Sequence, residues 1–146
     1  MQSARLLASL MLIVGAAPHL AAQTSSVSGP RMSITPEVAR VLFASMAADL
    51  RNLVTAQENY FADHNSYGRV LSTTNSSQVV IRPSPGVTLT LTYVTANTWT
   101  GRANHEWLGK SSCVIAVGKV AASRIPRTAT LGRVGDTEGS PVCDER

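Results

Sequence analysis

The sequence predicts an α+β domain in which one long N-terminal helix lies on a three-stranded antiparallel sheet and a disulfide closes an irregular C-terminal loop. Three observations carry this prediction. Apolar residues recur at helical spacing from residue 38 to residue 61; a threonine-rich stretch after residue 86 changes to strict alternation; and two cysteines bracket a late region rich in glycine and proline. At 146 residues, 44% hydrophobic and 15% charged, the chain has the composition of one folded domain and not of a disordered segment.

The helix opens at Thr35-Pro36-Glu37. Thr35 can accept from free amides, Pro36 needs no donor in the first turn, and Glu37 suits the positive helix end. Val38, Val41, Leu42, Met46, Leu50, Leu53, Val54, Tyr60 and Phe61 then form one apolar stripe that stops near Asn65-Ser66 and Gly68. That is a helix of about 28 residues, roughly 42 Å long. Val79, Val80 and Ile81 make a short apolar triplet, and Pro83-Ser84-Pro85-Gly86 a turn.

Three strands follow. Val87, Leu89, Leu91 and Tyr93 alternate with Thr88, Thr90 and Thr92 as a half-buried strand. Ala96-Asn97 turns into a second run at 98–106, and after a turn at 108–111 the third strand occupies 112–117, where Cys113, Ile115 and Val117 alternate. Residues 119–146 hold Pro126, Gly132, Gly135, Gly139 and Pro141 with few apolar residues, which predicts an irregular excursion pinned by Cys143.

Ahead of the helix, residues 1–22 read as an export signal: Arg5 supplies a positive start, 6–17 an apolar run, and 18–22 a small-residue exit before Gln23. The apolar run is about 12 residues, shorter than the roughly 20 of a spanning helix. Residues 23–34 form a flexible lead-in and 35–146 the domain. Export places the chain in the periplasm or medium, where an even cysteine count is normally a disulfide, so Cys113 and Cys143 are expected to pair. Without Arg5 the chain keeps 12 basic against 9 acidic side chains, spread singly and not as a nucleic-acid stripe.

The run from Asp49 through His64, with Asn52-Leu53-Val54-Thr55-Ala56-Gln57-Glu58-Asn59-Tyr60-Phe61 at its centre and Tyr67 after it, resembles the helix end of type IV pilins. Gly86-Val87-Thr88-Leu89-Thr90, Trp99-Thr100-Gly101-Arg102-Ala103-Asn104-His105, the Cys113 strand and the late Cys143 are similar to the sheet and disulfide-bounded loop of the same proteins. The resemblance covers Val38 to Cys143. It implies a pilin-like head in which the helix packs on an antiparallel sheet. Pilins place a short basic leader, a Phe, a glutamate and a long apolar anchor before this helix; the signal and polar lead-in stand there instead, so the filament-forming helix half is expected to be missing.

Chemistry-bearing patterns are sparse. His64 and His105 lack HExxH spacing, Ser111 and Ser112 lack a GxSxG context, and Glu58 and Asp63 stand five apart on the helix and do not share a face. Gly132-Arg133-Val134-Gly135 does not open an apolar helix, and Asn75-Ser76-Ser77 matches a common glycosylation pattern. Trp99 and Trp107 are read as core. No cofactor and no metal are expected.

The resulting expectation is an exported, non-enzymatic, pilin-like binding or accessory module of the cell envelope, associated with a type IV pilus or type II secretion apparatus. Its protein contact, with an envelope or pilus component or a second copy, is expected at the helix start, on Val38, Leu42 and Met46, because a 42 Å helix outruns three short strands. The alternative is a nucleic-acid-contacting module using Arg102, Lys110, Lys119, Arg124 and Arg127.

Overall fold

The structure, a computed structural model, describes residues 33–145. The expected signal at 1–22 and residues 23–32 of the lead-in lie outside the described residues, as does Arg146.

Helix α1 spans Pro36–His64. The Thr35 hydroxyl accepts from the Val38 N–H at 3.3 Å, Pro36 occupies the first turn, and Asn65 ends the helix in a left-handed conformation (φ 52°) with its N–H on the Phe61 carbonyl. Both ends thus follow from local residue chemistry. The buried face is Phe43, Met46, Asp49, Leu50, Leu53 and Gln57. Two of these six are polar, and each bolts α1 to another segment.

Strands β1 (Leu71–Ser72) and β2 (Val79–Val80) form a small parallel pair; β3 (Val87–Val94), β4 (Trp99–His105), β5 (Ser112–Val117) and β6 (Val142–Cys143) form an antiparallel sheet in the order β3-β4-β5-β6. The α+β class and the helix-on-sheet arrangement are as expected, but the sheet has four strands. The fourth, β6, is two residues long and pairs Cys113 with Cys143 and Val114 with Val142. So short a strand has no periodicity to read; its position comes from the disulfide that links the two directly opposed cysteines.

The core joins Phe43, Met46, Leu50 and Leu53 of α1 to Trp99, Ala103, Cys113, Ile115 and Val117 of the sheet, with Val79, Ile81 and Val87 at its side. Gly101 permits this contact: a Cβ there would lie 3.1 Å from the Trp99 ring and 3.6 Å from Leu53 Cδ2. The Trp99 indole fills the space a side chain would take. Trp107, expected in the core, is instead 51% exposed and rests edge-on against His105.

Strand β3 carries a second correction. Its register with β4 shifts between Leu91 and Tyr93, leaving Thr92 as an extra residue. A one-residue bulge reverses the faces beyond it. Val87, Leu89, Leu91 and Val94 therefore pack on the core, while Tyr93 turns to the outer face and lies under the Arg124 guanidinium, 5.4 Å from the ring centroid.

Two buried polar side chains fix the loops. Asp49 accepts from the Ser84 N–H (2.7 Å) and hydroxyl (3.1 Å), tying the turn before β3 to the middle of α1. The Gln57 amide donates to the Gly68 carbonyl and accepts from the Gly68 N–H, both at 2.9 Å, so a side chain pairs with one residue's main chain as a strand would. Gly68 must be a glycine, because a Cβ there would collide with Val79 Cγ2 and press on the Tyr60 ring. Gly68→Ala is expected to cost about 1–3 kcal/mol of stability through that overpacking, measured by urea unfolding of the oxidised full-length chain. An unchanged midpoint would show that the segment can move away from α1.

Candidate functional site

The expected contact surface at the helix start is divided by the structure. Met46 is fully buried and Leu42 half-buried, so Met46 is core and unavailable to a partner. The physical reason is the sheet itself: Met46 joins the core that α1 forms with β4 and β5, and the disulfide sits against the same stretch of helix, with Cys113 Sγ 3.8 Å from the Phe43 carbonyl oxygen. What remains outside is Val38, 41% exposed, and Val41, 67% exposed. Three apart on a helix, they share a face.

A neighbouring face of the same turns lines a cleft of about 380 Å³. Pro36, Ala39, Arg40 and Phe43 form one wall, Leu108 and Ser111 of the β4–β5 connection another, and Thr130, Asp144 and Glu145 close it. Asp144 is the most constrained group in this region. Buried, it accepts from the N–H groups of Ser112 (2.8 Å), Thr130 (3.1 Å) and Leu131 (2.6 Å). Burial works to raise its pKa, but the Thr128 hydroxyl and the Leu131, Ser112 and Thr130 amides outweigh it and hold the carboxyl far below the usual carboxylate range. With its lone pairs engaged, Asp144 anchors structure and does not serve as a general base.

Sequence reasoning missed Asp144, although a signal existed. Ser112 precedes the first cysteine and Asp144 follows the second, so antiparallel pairing of Cys113 with Cys143 sets Asp144 beside Ser112, where its N–H also reaches the Ser112 carbonyl at 3.0 Å.

The five candidate nucleic-acid residues separate into two groups. Arg102, Arg124 and Arg127 gather on the outer face of the sheet: Arg102 Nη2 donates to the Arg127 carbonyl (3.1 Å), Arg127 Nη1 to the Gly132 carbonyl (3.2 Å), and Arg124 covers Tyr93. Lys110 and Lys119 sit beyond opposite ends of β5. The outcome is a cluster of three guanidiniums already engaged with main chain or ring, not a continuous stripe of five charges.

The remaining titratable candidates are also dispersed. His64 is exposed and stacks on Tyr60 with ring centroids 3.9 Å apart, while buried His105 accepts from the Trp107 N–H at Nδ1, leaving the proton of a neutral ring on Nε2. Glu58 accepts from the Tyr67 hydroxyl at 2.7 Å; burial and that carboxylate push the Tyr67 phenol up to about 12. Among the described residues, no group of three or more His, Cys, Asp or Glu side chains is placed to hold a metal ion, and no helix is long and apolar enough to cross a membrane. The chain matches no protein-family model, no curated protein and no solved structure.

The depressed Asp144 carboxyl has a defined acid signature. Its contribution is fully present above the unfolded carboxylate value of about 3.9 and is lost as pH falls through the lower folded value. Asp144→Asn is expected to destabilise the chain at pH 7 by about 2–4 kcal/mol, because an amide NH₂ would face backbone donors. Urea unfolding at pH 7, 4 and 2 checks both points: the wild type should lose stability below pH 4 and the variant should lose less over the same interval. Equal losses would show that Asp144 is not the acid-sensitive anchor.

Proposed function

We propose that this chain is an exported, non-enzymatic, pilin-like module that works by protein contact in the cell envelope, in association with a type IV pilus or type II secretion apparatus. The observation that carries this reading is the change of environment along α1. From Phe43 onward its inner face is core, whereas Val38 and Val41 at its start share an exposed face. Exposed apolar pairs at a helix end suit packing against another helix.

In the pilins that this chain resembles, the same end of the helix leads away from the head, and the helix-on-sheet layer with a disulfide-tied C-terminal loop is the arrangement that the resemblance implies. Contact is favoured over nucleic-acid binding because Arg102, Arg124 and Arg127 are engaged in internal bonds and on Tyr93. An apolar ridge at Val38 and Val41 has no such internal use.

Replacing Val38 and Val41 with Glu tests the reading. Surface changes of this kind usually shift stability by less than about 0.5 kcal/mol. The double variant should therefore keep its melting temperature and its export, yet stop co-fractionating with purified pilus or secretion assemblies to which the wild-type chain binds. Equal co-fractionation of the two chains, or binding by neither, would contradict the proposal.

A further inference from the structure

Strand β3 is an edge of the four-stranded sheet, and its outward main chain is unpaired among the described residues. The Glu106 N–H donates to the Gly86 carbonyl at 3.0 Å. Hydrogen-bonded pairs recur at every second residue of an antiparallel ladder, so Thr88–Asn104 and Thr90–Arg102 carry the bonds to β4. The N–H and C=O groups of Leu89 and Leu91 consequently point away from the sheet.

Natural edge strands are usually blunted by charge, proline or short length. This one spans eight residues, and no charged side chain occurs from residue 83 to residue 101. Its order Val87-Thr88-Leu89-Thr90-Leu91-Thr92-Tyr93 is symmetric in character about Thr90. Alongside it runs a groove of about 350 Å³ lined by Leu71, Ser72, Thr73, Ile81, Pro83 and Leu89.

We infer that β3 is a homodimerisation edge whose occupant is β3 of a second copy, paired antiparallel about a two-fold axis at Thr90. This register sets Thr90 against Thr90, Thr88 against Thr92 and Leu89 against Leu91, threonines on the outer face and leucines on the inner one. The outward groups of Leu89 and Leu91 then meet their counterparts in about four new main-chain hydrogen bonds. Leu91 of the second copy enters the groove beside Leu89. With no charge on the edge, two copies meet without repulsion, and the bulge at Thr92 bounds the paired segment. The inference rests on the sheet edge alone and is independent of the pilin-like reading.

The test uses the full-length oxidised chain in sedimentation equilibrium. Thr90 is exposed and makes no core contact, so Thr90→Lys and Thr90→Glu should each melt like the wild type. The wild type should dimerise, each variant should weaken self-association at least tenfold through like charges at the axis, and an equimolar mixture of the two should associate again. Under mild oxidation the Thr90→Cys variant should give a disulfide-linked dimer whose peptide map joins position 90 of one copy to position 90 of the other, whereas Thr88→Cys should not link to itself. A wild-type chain that stays monomeric to about 100 µM, a dimer indifferent to Thr90→Lys, or efficient Thr88→Cys self-linkage would each overturn the inference.

Discussion

Asp144 and the Cys113–Cys143 bridge act as one clamp that holds the chain's last strand against β5, and the C-terminal third of the domain depends on it. Residues 119–141 supply little apolar surface of their own. Their order comes instead from Ser112 and Asp144, which between them engage the N–H groups of Ala129, Thr130 and Leu131, while Gly135 packs on Val114. A bridge across a 30-residue separation restricts the unfolded chain by roughly 3–4 kcal/mol, a large share of a small domain's stability. The carboxylate then converts that proximity into a particular loop conformation.

The same clamp reaches the helix. It places the bridge at the Phe43 carbonyl, the point at which the inner face of α1 passes from surface to core. Farther along, Asp49 and Gln57 join α1 to Ser84 and Gly68. Burying such groups is costly unless they are hydrogen-bonded, so these contacts fix where the loops lie more than they add net stability. Apolar packing supplies the adhesion between helix and sheet, and the polar bolts choose its register.

Features governed by local chemistry were legible in the sequence. The helix limits followed from Thr35, Pro36 and Asn65, and β5 was bounded correctly because its apolar run is framed by Ser111-Ser112 and Gly118. Features governed by distant partners were not. β1 and β2 are two residues each and parallel, too short to show a pattern, and Val79 and Leu71 find their places only against the core. Tyr93 followed the alternation until the bulge at Thr92 reversed its face, and Met46 looked free to project because comparing helix length with strand length does not show which turns of α1 lie over β4 and β5. Of the apolar residues at the helix start, Val38 and Val41 are exposed while Phe43 and Met46 are core, a division that depends on how the helix lies on its sheet.

The clamp predicts an unequal response to loss of the bridge, and native-state hydrogen exchange of the oxidised chain against a Cys113→Ala/Cys143→Ala variant measures it directly. The amides of Ser112, Ala129, Thr130 and Leu131 all rest on the clamp, whereas those in the middle of α1 are held within the helix. The account predicts that the four clamp amides lose protection together in the variant and that the α1 amides stay protected to a greater degree. Retention of slow exchange at Ala129, Thr130 and Leu131 without the bridge would contradict it.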